Sequence, residues 1–215
     1  MTRWADLISE ALTRGPLGRL VFAVAYGSGV SDRDVLMVYD PPPLTAEILV
    51  AGLDALLLGK DALSRLVAML DPVATEPLLS GRLLYGDADA LAEFRAHVAQ
   101  ATPSRGAVRT LMRRSFSSYE ASLASLARAS GSGSRRFIRL TCCNLGWSIS
   151  YFAFAMAYRT SPCAMRLADV VERMPCRWRR LWDELTALKP DGEPHKCEAL
   201  LQRWEDVLLG PVESG

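Results

Sequence analysis

One short segment constrains this chain more than any other. Val24-Ala25-Tyr26-Gly27-Ser28-Gly29-Val30-Ser31-Asp32-Arg33-Asp34-Val35-Leu36-Met37-Val38-Tyr39 sets a Gly-Ser turn just before two carboxylates one residue apart, at the mouth of an apolar, β-rich run. Successive side chains on a strand alternate between faces, so Asp32 and Asp34 are expected on one face, with Val35 to Tyr39 holding them on a strand. Two acidic groups on one face suit a hard divalent cation. Magnesium is usually held by one or two carboxylates together with substrate phosphates, and a Gly-Ser turn can offer backbone N–H groups to those phosphates. The physical reading is a metal-assisted phosphate site. The same residue types also suit an ordinary hairpin connection, because Gly, Ser and Asp dominate turns for local steric reasons.

The next segments extend the pattern. Ala51-Gly52-Leu53-Asp54-Ala55-Leu56-Leu57-Leu58 brings a third acid into a wholly apolar run, which reads as a central strand in which an Asp is expected only when paired or bound to metal. Asp40 and Glu47 are weaker candidates. Asp40 precedes Pro41-Pro42-Pro43, which cannot continue a strand ladder, and Glu47 lies just beyond that break.

In this order the motifs resemble the DNA polymerase β-like nucleotidyltransferase superfamily, whose signature is an apolar strand, Gly-Ser, a loop, and Asp-x-Asp on the next strand. Leu20 to Ala25 lead into Gly27-Ser28, Ser31-Asp32-Arg33-Asp34-Val35 matches the Asp-x-Asp segment, and Leu84-Tyr85-Gly86 looks like the end of many such domains. The chain departs from the family in having only Gly29, Val30 and Ser31 between Ser28 and Asp32, where roughly ten residues are usual. The resemblance implies Asp32, Asp34 and Asp54 as catalytic carboxylates and ligands of Mg²⁺. It implies Gly27 and Ser28 as the grip on a nucleoside triphosphate, and an unidentified hydroxyl acceptor. The alternative is a catalytically degenerate relative, acting as a regulatory or antitoxin-like binding partner.

Beyond this head the periodicity becomes helical. A mixed-sheet nucleotidyltransferase-like region over 1–87, with strands expected at about 19–26, 34–39 and 48–58, precedes an all-α bundle over 88–215, an α+β chain overall. Leu7, Ile8, Ala11 and Leu12 predict a first helix ended by Gly15-Pro16, and Leu91, Phe94 and Val98 share a helical face. Val108, Leu111, Met112, Phe116, Tyr119, Leu123 and Leu126 predict one long amphipathic helix. Ser130 to Ser134 reads as a flexible connector to a second helix over 135–158, and further helices are expected at about 165–174, 177–188 and 194–208. Leu140 to Tyr158 carries no charge and is long enough to span a bilayer, but Thr141, Asn144, Gly146, Ser148 and Ser150 dilute it, so a buried bundle helix is expected.

A nucleotidyltransferase head followed by helices resembles the kanamycin nucleotidyltransferase type and nucleotidyltransferases fused to HEPN-type bundles. In the former a glutamate from the helical part serves as general base; Glu120 is the nearest equivalent, and Arg109, Arg113 and Arg114 share its helix. An ordinary solvent-facing role is the competing reading for all four. His97 and His195 lack the arginine spacing of HEPN ribonucleases, which disfavours that activity.

Composition bounds the partners. Twenty-five basic against twenty-four acidic residues give a net charge of +1, so nucleic-acid binding would need a local patch. Five cysteines, an odd number without Cys-x-x-Cys spacing, argue against a disulfide framework or an ordinary zinc site. The charged N-terminus lacks the apolar core of a secretory signal, so cytoplasmic residence is expected, with no membrane partner and a homodimer left open.

Overall fold

A computed structural model describes residues 18–26, 33–42, 47–50, 53–132, 134–188 and 194–210. The expected first helix around Leu7 to Leu12 lies outside the described residues, as do Gly27, Ser28 and Asp32. The elements run β1 (Arg19–Tyr26), β2 (Arg33–Asp40), β3 (Glu47–Val50), β4 (Leu53–Gly59), α1 (Lys60–Ala68), α2 (Pro72–Ser80), β5 (Arg82–Gly86) and α3 (Ala88–Gln100). They continue with α4 (Arg105–Ser132), α5 (Arg135–Ala157), α6 (Leu167–Arg173), α7 (Cys176–Ala187) and α8 (Pro194–Leu209). The fold is α+β. The chain divides into two compact units, Met1–Ser104 with Ser161–Arg166, and Arg105–Thr160 with Leu167–Gly215. Helix α3, read in the sequence with the helical region that begins at 88, therefore packs in the first unit.

The first unit is built on a five-stranded sheet in the order β3-β4-β2-β1-β5. β1 runs antiparallel to β2 and to β5, β2 runs parallel to β4, and β3 runs antiparallel to β4. The single strand expected over 48–58 is instead two strands of a hairpin. In the sequence Gly52 lies between the two strands, and a glycine inside a strand pattern weakens the ladder. β3 follows the proline run and takes the sheet edge, where a neighbouring proline costs no ladder bonds.

One face of the sheet presents Phe22, Val24, Leu36 and Val38 to Leu63 and Val67 of α1, Ala74 and Leu78 of α2, and Leu91, Phe94 and Val98 of α3. Phe22 and Phe94 meet edge to face at 5.9 Å. On the other face Ala23, Val35, Met37, Tyr39, Ala55 and Leu57 are also buried, so β2 is a strand covered on both sides, as its unbroken apolar run requires. Neither α1 nor α2 is foreseen in the sequence reading. Asp71 caps α2 by accepting the Val73 N–H at 3.1 Å, and Pro72 occupies its first turn, where the missing N–H costs nothing. Leu84-Tyr85-Gly86 closes β5, and Gly86 has φ +98°, with a hypothetical Cβ 2.2 Å from the Val21 carbonyl oxygen. Only glycine meets both demands.

In the second unit α4 and α5 form an antiparallel pair whose register is set by small polar residues. Ser115 Oγ donates to the Ser148 carbonyl at 2.8 Å, Ser148 Oγ donates to the Ser115 carbonyl at 2.8 Å, and Ser122 Oγ donates to the Thr141 carbonyl at 3.2 Å. α5 is the one described helix long and apolar enough to cross a membrane, and more than half of its apolar stretch is buried within the protein. The hydroxyls that dilute it are the groups that seat it against α4. α4 continues through Ser132, so most of the expected Ser-Gly connector is helical, held by Ala129 packing with Ile138 and Cys197. Tertiary burial outweighs the poor helix propensity of serine and glycine there. Trp204 of α8 is fully buried edge to face with Phe152 at 5.3 Å, and Phe152 meets Trp178 of α7 at 5.0 Å, so Trp178 and Trp204 are core.

Candidate functional site

The parallel ladder between β2 and β4 aligns Arg33 with Leu53, Asp34 with Asp54 and Val35 with Ala55. Two acids that are twenty positions apart in sequence thus occupy one rung on neighbouring strands, whose axes lie about 4.8 Å apart. Across the other edge of β2, Asp34 is aligned with Tyr26, the last residue of β1. The rung lies near the start of both β2 and β4, and Asp34 is half-buried while Val35 to Tyr39 are fully covered. By strand alternation Asp34 stands on the same side as Leu36 and Val38, at the rim of the face covered by α1, α2 and α3.

The remaining predicted residues divide cleanly. Asp32, Gly27 and Ser28 lie outside the described residues, as does the side chain of Asp54, whose backbone is placed in β4. Among the described residues no three His, Cys, Asp or Glu side chains converge as a metal cage, a finding that leaves out two carboxylates of the expected trio. The weaker candidates do not join the rung. Asp40 ends β2 at its far end, exposed and 3.7 Å from Lys60 Nζ, while Glu47 is aligned with Leu56 on β4. Glu120, Arg109 and Arg113 are exposed on α4, and the Arg114 guanidinium lies 5.7 Å from the centre of the Tyr151 ring. Those positions belong to the second unit, and the His97 ring lies edge to face with Phe94 at 6.3 Å.

Two further polar side chains of the first unit are structural. Arg95 of α3 holds the end of α2, its Nε donating to the Leu78 carbonyl at 2.8 Å and its Nη2 to the Gly81 carbonyl at 2.5 Å. Tyr39, buried beside the Met37 sulfur at 3.4 Å, has its phenol pushed up to about 12 by loss of hydration. Neither signal is legible in the sequence, because each depends on which distant backbone or side chain lies opposite.

No protein-family model matches the chain, and no curated protein matches it in sequence. Among solved structures, it is similar to a nucleotidyltransferase-like protein from Exiguobacterium sibiricum at 12% identity and a TM-score of 0.37, over 96% of this chain and 75% of that one.

Proposed function

We propose that the chain is a Mg²⁺-dependent nucleotidyltransferase, moving a nucleoside monophosphate from a nucleoside triphosphate to a hydroxyl acceptor with release of pyrophosphate. The observation that carries the reading is the Asp34–Asp54 rung, joined in sequence by Asp32 two residues before Asp34. Two ionised carboxylates on one rung of neighbouring strands repel each other, so a shared cation would favour the pair beside an apolar sheet. The donor set is all hard oxygen, the type magnesium takes. Asp32, Asp34 and Asp54 would hold the ion, which supplies charge neutralisation for the phosphates and the leaving pyrophosphate. Gly27 and Ser28 would orient the triphosphate through backbone N–H groups, and Asp54 would be placed to accept the acceptor's proton. The proposed setting is the cytoplasm, in keeping with five cysteines in the thiol form.

A second reading rests on the three residues between Ser28 and Asp32, a connection that leaves little chain to wrap a triphosphate. In it the head is a degenerate relative that serves as a binding or regulatory partner. Thermal melting of the wild type and Asp34→Asn against each nucleoside triphosphate, with and without Mg²⁺, separates the two. A bound ligand at a hundred times its Kd adds about 2.7 kcal/mol. The enzyme reading expects a Mg²⁺-dependent rise in the wild type only, each protein being compared with its own ligand-free midpoint. No rise with any nucleotide would sink the enzyme reading.

A further inference from the structure

Cys142 on α5 and Cys197 on α8 come from positions 55 residues apart, yet their sulfurs lie 3.3 Å from each other. They sit in a small apolar cluster with Ala129 and Ile138, walled by Leu126, Phe137 and Leu188. Cys197 is 1% exposed, whereas Cys142 is half-buried and reaches solvent. An S–S bond is about 2.05 Å long, so closure needs the sulfurs to approach by a little over 1 Å, within reach of small side-chain rotations. Cys143 is the contrast. Adjacent helical residues point about 100° apart, and Cys143 is exposed.

We propose that Cys142 and Cys197 form a redox-active dithiol, which hydrogen peroxide converts to a disulfide joining α5 to α8. In the first step the Cys142 sulfur attacks the peroxide, the O–O bond breaks, and a sulfenic acid forms while the departing oxygen leaves as water with the thiol proton. In the second step the Cys197 sulfur attacks the sulfenic sulfur, an S–S bond forms, and the S–O bond breaks. The oxygen leaves as a second water with the remaining thiol proton. Two protons and two electrons leave the sulfurs, and one peroxide becomes two waters. Exposure, not acidity, selects Cys142 for the first step, because the contact between the two sulfurs and partial burial raise its thiol; the same contact lowers Cys197, which suits Cys197 to the attack in the second step. A proximal second thiol is what diverts a sulfenic acid to disulfide instead of further oxidation.

The test is hydrogen peroxide treatment of the full chain, followed by thiol alkylation, intact mass and peptide mapping. The wild type and Cys143→Ser are expected to lose 2 Da and to yield a Cys142–Cys197 linked peptide that dithiothreitol releases. Cys142→Ser and Cys197→Ala are expected to give no such link. Because Cys197 is buried, circular dichroism of its variant accompanies the assay, and the mapping of the wild type stands independently of it. Closing a 55-residue loop is expected to raise the unfolding midpoint of the oxidised wild type by roughly 10 °C. Sulfinic acid on Cys142 with Cys197 still reduced would overturn the proposal. So would a link through Cys143, or an oxidised form that melts no higher than the reduced one.

Discussion

Ser148 is the point at which three helices are tied together, and its removal gives a quantitative test of the second unit. Its hydroxyl accepts the indole N–H of Trp204 at 2.8 Å and donates to the Ser115 carbonyl at 2.8 Å, while its own carbonyl accepts from Ser115 Oγ. Ser148 and Trp204 are both fully buried. Ser148→Ala leaves the indole N–H without this acceptor inside the core, which costs about 1–3 kcal/mol, and deletes a further bond worth about 1 kcal/mol. We expect Ser148→Ala to lose about 2–4 kcal/mol. Trp204→Phe removes the N–H itself, so in that background Ser148→Ala should cost only about 1 kcal/mol, a coupling of about 1–3 kcal/mol. Urea unfolding of wild type, both single variants and the double variant measures the cycle. In a domain of about a hundred residues each kcal/mol moves the melting midpoint by roughly 4 °C, so thermal scans should agree. If Ser148→Ala costs the same in both backgrounds to within about 0.3 kcal/mol, the buried network does not hold α8 to α5 as described.

Asp87 accepts the N–H groups of Asp89 and Ala90 at 2.9 and 3.0 Å, so Asp87→Ala should cost about 1 kcal/mol in equilibrium unfolding, with Asp87→Asn and Asp87→Ser near neutral. Gly86→Ala meets both a left-handed backbone and a carbonyl 2.2 Å from the new Cβ; a loss above about 2 kcal/mol is expected, and an unchanged midpoint would contradict the β1–β5 register. The raised Tyr39 phenol predicts alkaline instability of a definite sign. The unfolded phenol ionises near 10 and the folded one near 12, so the unfolded state binds fewer protons in that window and stability falls as pH rises from 10 to 12. Tyr39→Phe should flatten that fall, as read from urea midpoints at pH 9 to 12. The Arg203–Glu184 pair between α8 and α7 is bidentate but exposed, and the arginine holds the Glu184 carboxyl below its usual range. Glu184→Gln should cost under about 1 kcal/mol at pH 7, an effect that fades in high salt and as pH falls through the carboxylate range.

Periodicity alone revealed most of the elements. The alternation and apolar runs around β1 and β2 and the helical spacing of α3, α4, α5, α7 and α8 are local properties, written in the order of side chains along one element. So is the reading of Asp34 as an acid at the start of a buried strand. The sequence also separated Asp40 from the candidate site, because a proline run stops a ladder wherever it occurs. Other features depended on partners. The run over 48–58 became two antiparallel strands, a pairing that local pattern does not decide, and α1 and α2 are short helices whose stability comes from the sheet beneath them. α4 outran its Ser-Gly connector because Ala129 is packed against Ile138 and Cys197.

What the sequence determined by itself is therefore a mixed-sheet head bearing acids, followed by a helical tail with a polar-studded apolar helix. Which acids share a rung, which serines meet across α4 and α5, and which of five cysteines face each other were decided only by the tertiary structure. The physical reason is that a strand or helix pattern fixes the face on which a residue stands, whereas register between elements far apart in the chain is set by the packing of both.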